Sequence, residues 1–349
     1  MSENLVISID AMGGDNSPYA MIDGLAIAHK KNPDVNFLIF GDEEKVKPLL
    51  AGYPSLEKSC ELRHTSIKIH NEDKPGQVIR NKQSSMHMAV TAVKNKEARA
   101  VISAGNTGAL MAISKLVLRT LAGIHRPAIT AIMPSRSKRY VMLDLGANTE
   151  CDAINLVEFA LMGSIMSKSA LNVKKPKVGL LNIGSEEMKG KAEIQEAAKV
   201  LSKLDLDIEF IGYVEPDEMG EGVADVVVSD GFTGNIALKS VEGTAKLVVR
   251  LLKNAIKGSP LAWLGLPFLI PALKKVKKTM DPRLYNGAMF AGLNGLSVKS
   301  HGGTDALGFS VAVNNTISMV RDNFTSELKA ELEEINLEAV LWEVNNVND

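Results

Sequence analysis

Short apolar runs recur along the chain, each followed at once by a polar, glycine-bearing loop and then by a stretch of helical periodicity. Runs at 5–9, 35–40, 100–103, 127–133, 140–145, 177–183, 208–214, 225–228 and 296–300 read as strands. Most are apolar on both faces, the pattern of a parallel sheet covered on each side by helices. Between them the spacing predicts helices over 18–31, 43–51, 84–95, 109–121, 153–169, 193–204 and 306–322, the first opening at Pro18 and the third capped by Ser84-Ser85. The alternating segment 60–70 is a further strand candidate. Strands alternating with helices predict an α/β protein: a doubly wound, mostly parallel sheet with helices on both faces.

One unit stands out. Asp225-Val-Val-Val-Ser-Asp230 is a strand, Gly231-Phe-Thr-Gly234 a tight loop, and a long helix is expected from Asn235. A strand, a glycine loop and a helix N-terminus turn backbone N–H groups and the positive end of a helix dipole toward one spot, where an anion is stabilised. A plain βα turn uses the same residues, but the device recurs. In a doubly wound sheet, loops after strand carboxyl ends share one edge. The loops beginning at Asp10, Ser103, Leu145, Ile183, Ser229 and Ser300 are therefore expected to meet in one cleft.

That cleft would hold the carboxylates Asp10, Asp15, Asp144 and Asp230, the amides Asn106, Asn148, Asn182 and Asn235, and Lys189 and His301. It would also hold the loop residues Gly13, Gly14, Ser103, Gly105, Thr107, Gly108, Gly231 and Thr233, with Arg80, Ser84 and Ser85 nearby as further phosphate or carrier contacts. Glycine N–H groups, carboxamides and one lysine suit two reactants: a phosphate, and a carbonyl whose developing oxyanion needs fixed donors. No dinucleotide fingerprint, Walker lysine, Gly-x-Ser-x-Gly elbow or HExxH is present, and no metal-ligand spacing occurs; no cofactor is expected.

At 349 residues and 45% apolar content the chain is long enough for one large domain spanning 1–349. The net charge of −1 gives no global reason to bind nucleic acid. Cys60 and Cys151 alone point to a reducing, cytoplasmic compartment. The N-terminus enters a strand directly, without a leader, and no apolar run is long enough to span a bilayer.

The segment 245–283 breaks the regular pattern. Leu261, Trp263, Leu264, Leu266, Phe268, Leu269 and Ile270 precede Lys274 and Lys275, a composition suited to shallow insertion at an anionic surface. Packing in the core or against a dimer partner is the alternative. Upstream, Lys246, Arg250, Lys253 and Lys257 fall on one helix face. Such a face is either simply solvated or a surface for an acidic partner.

Asp10-Ala-Met-Gly-Gly-Asp15, Ser103-Ala-Gly-Asn-Thr-Gly-Ala109, Arg126-Pro-Ala128, Leu143-Asp-Leu-Gly-Ala-Asn148, Val178-Gly-Leu-Leu-Asn-Ile-Gly184 and 225–238 together resemble the bacterial phosphate acyltransferases of phospholipid synthesis. The resemblance runs in order from about Leu5 to Arg321. His301-Gly-Gly-Thr matches the family's His-Gly motif, while its flank Asn286-Gly-Ala-Met-Phe-Ala-Gly292 departs mildly from the usual Gly-Gly-x-x-Leu-x-Gly pattern. The resemblance implies a homodimer with a fold similar to phosphate acetyltransferase and isocitrate dehydrogenase. It also implies transfer of a long-chain acyl group from acyl-[acyl-carrier protein] to inorganic phosphate. The acyl phosphate would pass to a membrane glycerol-3-phosphate acyltransferase, with the protein peripherally attached to the membrane. Within that reaction Lys189 is expected to bind phosphate or neutralise the thioester oxyanion, or else to be a surface lysine. Asp230 is expected to orient Lys189 or take a proton, and His301 to protonate the departing thiolate. Asn182 and Asn235 are expected to donate hydrogen bonds, Asn235 otherwise serving as a helix cap. A coenzyme A-dependent phosphate acetyltransferase, or a module that binds ligand or membrane without catalysis, are the other readings.

Overall fold

The computed structural model describes residues 5–70, 72–73, 75–204, 206–258, 268–271 and 281–334. Eleven strands form one continuous sheet in the order β3-β2-β1-β4-β11-β10-β5-β6-β9-β7-β8. They are β1 (Leu5–Asp10), β2 (Val35–Gly41), β3 (Cys60–His64), β4 (Ala100–Ser103), β5 (Ala128–Pro134), β6 (Arg139–Leu143), β7 (Lys177–Leu181), β8 (Glu209–Val214), β9 (Val226–Val228), β10 (Ala288–Ala291) and β11 (Leu296–Lys299). The doubly wound, mostly parallel architecture is as the periodicity predicts.

Alternate side chains along these strands feed two cores. Phe37 and Ile39 of β2, with Val226 and Val228 of β9, pack on one face with α1 (Tyr19–His29), α7 (Ala153–Leu171) and α10 (Ala306–Arg321). Leu38, Phe40 and Val227 pack on the other, with α5 (Ser85–Lys94) and α6 (Thr107–Leu118). A period of two with apolar residues in both phases is what burial on both faces requires.

Three antiparallel pairings, β11–β10, β10–β5 and β5–β6, lie mid-sheet. The parallel set β3-β2-β1-β4-β11 therefore runs opposite in sense to the parallel set β6-β9-β7-β8. Each set has its own switch point. In the first, β1 lies between β2 and β4, with Asp10 opposite Ser103. In the second, β9 is inserted between β6 and β7, with Leu143 opposite Val228. The expectation of one loop edge took every strand that precedes a polar loop to run the same way. The reversal divides the carboxyl-end loops into two groups.

Other differences are local. The alternation over 60–70 becomes strand only through His64. The long helix α9 spans Gly231–Lys257, so Gly231-Phe-Thr-Gly234 is its first turn rather than a loop. Asp230 supplies the N-cap, accepting from Thr233 N at 2.7 Å. β10 and α11 (Phe324–Glu334) have no counterpart in the sequence reading.

Candidate active site

The first group is organised by Asp10, at the carboxyl end of β1 and fully buried. Its Oδ2 accepts from Ser103 Oγ at 2.6 Å, and its Oδ1 from Ser85 Oγ at 2.7 Å and Met12 N at 3.2 Å. Burial pushes its carboxyl above the usual range, and the two hydroxyls pull the other way. Ser103 Oγ in turn accepts from Gly105 N at 3.0 Å. Ser84 is the cap that begins α5 and so positions Ser85. A Cβ at Gly13 would lie 2.6 Å from both Asp10 Oδ2 and Gly105 N, so only glycine allows this approach. Asn106 caps α6 through Ala109 N. The first-turn N–H groups of Thr107 and Gly108 have no carbonyl four residues back to bond.

The loop after β11 closes on the same place. Gly302 O accepts from Asp15 N at 2.9 Å. Asn286 fixes the loop from behind, accepting from His301 N and donating to Ser300 Oγ and Gly308 O. His301 Nδ1 accepts from Gly303 N at 3.1 Å. Burial and the nearby Lys239 hold its imidazole below the usual range. Two amines join the cluster that the sequence reading did not select. Lys68 Nζ donates to Gly14 O at 3.1 Å and Ser17 Oγ at 3.3 Å. Lys299 Nζ donates to the carbonyls of Ala104 and Ser300. Lys299 hides in the sequence because it ends an apolar strand and lies one residue outside the polar loop.

The second group is organised by Asp144, at the carboxyl end of β6. Five N–H groups reach its carboxylate: those of Ile129, Gly146, Ala147 and Asn148, and the Asn148 carboxamide. Asn148 also donates to Pro127 O at 2.8 Å. Gly231 N donates to Asn148 O at 2.7 Å, and a Cβ at Gly234 would lie 2.0 Å from Asp144 O. The first turn of α9 is thus tied to the β6 loop. Two of the N–H groups expected to cradle an anion there, those of Gly231 and Thr233, are already engaged. Asp230, besides capping, accepts from Thr233 Oγ1 at 2.9 Å and from Lys191 Nζ at 3.0 Å. Lys191, rather than Lys189, is the lysine that Asp230 holds; the two-residue offset follows from the turn at Gly190, whose φ is +87°. Lys189 is half exposed, with its Nζ 4.0 Å from Glu186 Oε1. Asn182 is buried; its Nδ2 donates to Gly184 O and Lys189 O while its Oδ1 faces Gly190 without a hydrogen-bond donor. Asn235 is exposed against Gly146 and does not cap the helix.

Helix α9 connects the groups. It starts on the Asp144 loop, and its Lys239, Glu242 and Lys246 act electrostatically on His301. Lys246, Arg250, Lys253 and Lys257 are exposed along it. Arg80 ends α4 (Pro75–Arg80) on the surface. Of the expected membrane contacts, Phe268, Leu269 and Ile270 are exposed, whereas Leu261, Trp263, Leu264, Leu266, Lys274 and Lys275 lie outside the described residues. Among the described residues no cluster of His, Cys, Asp and Glu could hold a metal ion, and no helix is long and apolar enough to cross a membrane.

Residues 5–327 match the model of a family described as fatty acid synthesis protein. A phosphate acyltransferase from Rhodospirillum rubrum is 51% identical, covering 97% of each chain. The chain belongs to the phosphate acyltransferase family, a family of transferases. A second relative with that name, from Paramagnetospirillum magneticum, is 49% identical over 96% of each chain. Among solved structures, a phosphotransacetylase from Streptococcus pyogenes shares the fold, with a TM-score of 0.60, 17% identity and 95% of each chain covered. A EutD phosphotransacetylase from Staphylococcus aureus shares it with a TM-score of 0.57 and 16% identity.

Proposed function

We propose that this chain transfers a long-chain acyl group from acyl-[acyl-carrier protein] to inorganic phosphate, releasing an acyl phosphate for phospholipid synthesis. Phosphate attacks the thioester carbonyl directly, so no covalent enzyme intermediate is required. Catalysis then consists of positioning two reactants and stabilising charge. The first loop group supplies amines and glycine N–H groups for phosphate; the second supplies Lys189 and Asn235 to the carbonyl side.

The observation that supports a carrier-protein donor is the cationic face of α9. It begins beside His301 with Lys239 and Lys246 and continues outward through Arg250, Lys253 and Lys257, all exposed. An acidic partner docked there brings its thioester to the loops, and complementary charge raises the encounter rate. Charge reversal of Lys246, Arg250 and Lys253 to Glu tests this. The expected result is a kcat/KM for acyl-carrier substrate lowered at least about 10-fold, with steeper loss at low salt and little change for acyl-pantetheine. Equal kcat/KM for both substrates in wild type and variant would favour the coenzyme A-dependent or carrier-independent reading.

On the other side of α9, Val241, Leu247, Val248, Leu251 and Leu252 are 38–57% exposed. An amphipathic helix with so many apolar side chains in solvent calls for a covering surface. A second copy of the chain is that cover in this reading, consistent with a homodimer. Phe268, Leu269 and Ile270, 87%, 52% and 40% exposed, then belong to the membrane contact that would deliver acyl phosphate to a membrane glycerol-3-phosphate acyltransferase.

A further inference from the structure

Lys299 is a half-buried amine at the strand ends of the first loop group. Its ammonium has three donors. Two face main-chain carbonyls, those of Ala104 at the end of β4 and Ser300 at the end of β11. Among the described residues no carboxylate comes within ion-pair distance of it. The groups that face it are Asp10 and Asp15 from β1 and its loop, Lys239 from α9, and His301 from its own loop. A lysine drawn partly out of solvent without an ion-pair partner is costly to keep charged. Its place at the meeting point of three loops calls for a chemical reason.

We propose that Lys299 carries the proton that the transfer reaction moves, giving it to the departing sulfur and recovering it from the attacking phosphate. This rests on the reaction proposed above. The oxygen of hydrogen phosphate attacks the thioester carbonyl carbon, and a carbon–oxygen bond forms. The carbon–sulfur bond breaks with its electron pair on sulfur. The third N–H of Lys299 protonates that sulfur, and the amine left behind accepts the phosphate hydroxyl proton. Protons and electrons balance with no outside reactant.

Among its neighbours Lys299 is the group placed to carry that proton. Asp10 already accepts three hydrogen bonds, from Ser85, Ser103 and Met12 N. Lys68, with as many donors engaged, is held at the β1 loop by Gly14 O and Ser17 Oγ rather than at the ends of β4 and β11. The His301 imidazole is made less basic by burial and by the surrounding amines, so it holds little proton to give near neutrality. Burial, reinforced by Lys239, brings the Lys299 amine down to about 8. That is close to an ordinary thiol, about 8.5, so the transfer to sulfur is nearly thermoneutral.

The test compares two donors in wild type and in Lys299→Met, Lys299→Gln and Lys299→Arg. One donor is an acyl-pantetheine, whose alkyl thiolate needs a proton. The other is an acyl thiophenol ester, whose thiolate leaves without one. With the alkyl donor, Lys299→Met and Lys299→Gln are expected to lose about 10²–10⁴-fold in kcat. With the aryl donor the loss should be under about 10-fold. The limb of the wild-type pH–rate profile near 8 should vanish in all three variants. Lys299→Arg should be as slow as Lys299→Met, because a guanidinium cannot cycle its proton at neutral pH. Lys299→Gln keeps donors for the two carbonyls and so serves where Lys299→Met does not fold. Equal losses with both donors, or activity restored in Lys299→Arg, would mean that Lys299 only binds charge and would overturn the proposal. If wild type forms acyl phosphate from neither donor, the reaction itself is wrong and both readings fall.

Discussion

Two buried aspartates lie at strand carboxyl ends, one in each half of the sheet, and they are held in contrasting ways. Asp144 is gripped by five N–H groups, four of them from the main chain. Asp10 is held by two hydroxyls and one N–H. A main-chain N–H can only donate, whereas a hydroxyl turns and can accept instead. The Asp144 group is therefore specified for one charge state, and it fastens the start of α9. The Asp10 group tolerates a change of proton count, and it is the one with a half-buried amine, Lys299, beside it. The difference separates the part of the site that builds the frame from the part that adapts to charge.

Asp144→Asn breaks this contrast most strongly. A carboxamide in place of the carboxylate leaves several buried donors without an acceptor, and a destabilisation of about 3–5 kcal/mol is expected. Asp10→Asn should cost about 1 kcal/mol, because Ser85 and Ser103 can reorient. Urea unfolding of both variants at pH 7 checks the order; equal losses would remove the distinction.

The next effect tests whether the Asp144 group also serves catalysis. Lys189→Ala is expected to reduce turnover by about 10²-fold without altering the thermal midpoint, the scale of losing one oxyanion donor. Unchanged turnover would leave that half of the site with a structural role only.

Lys299 offers a stability test of smaller size and opposite sign. Its amine falls from the ordinary lysine range to about 8 in the folded chain. The folded state then binds fewer protons than the unfolded one between about 8 and the ordinary value. The penalty on folding builds as pH falls from the ordinary lysine value toward about 8, is complete below that, and is relieved as pH rises back to the unfolded value. Lys299→Met should stabilise the protein by about 2–3 kcal/mol at pH 7, with the gain shrinking above pH 8. Destabilisation of Lys299→Met at every pH would contradict it.

The smallest effect is at Lys191, whose side chain is 60% exposed where it meets Asp230. Lys191→Ala should change stability by less than about 1 kcal/mol, since solvent screens the pair. A larger loss would make Lys191, rather than the N–H network, the fastening of α9.

Sequence patterning made the strands with two apolar phases legible, and with them the doubly wound sheet, because burial on both faces leaves a continuous apolar run. It did not reveal the reversal at β5–β6 or strand β10, since antiparallel and parallel pairing use the same short apolar segments. The loop residues were legible because Gly13, Gly231 and Gly234 occupy positions where a Cβ would strike neighbouring atoms. The start of α9 was misplaced because glycines at 231 and 234 read as a loop, although they are required by contact with the Asp144 loop. Lys68 and Lys299 were missed for a different reason. Their amines enter the site by side-chain reach from outside the glycine loops, and no local pattern records that.

Acyl phosphate formation tests the central claim most directly. Purified protein is incubated with acyl-carrier thioester and ³²P-labelled phosphate, and each component is omitted in turn. The account predicts a ³²P-labelled acyl phosphate that requires all three components, appears with stoichiometric release of carrier thiol, and returns its label as free phosphate on treatment with hydroxylamine. Carrier thiol released without labelled acyl phosphate, or no reaction at all, would contradict it.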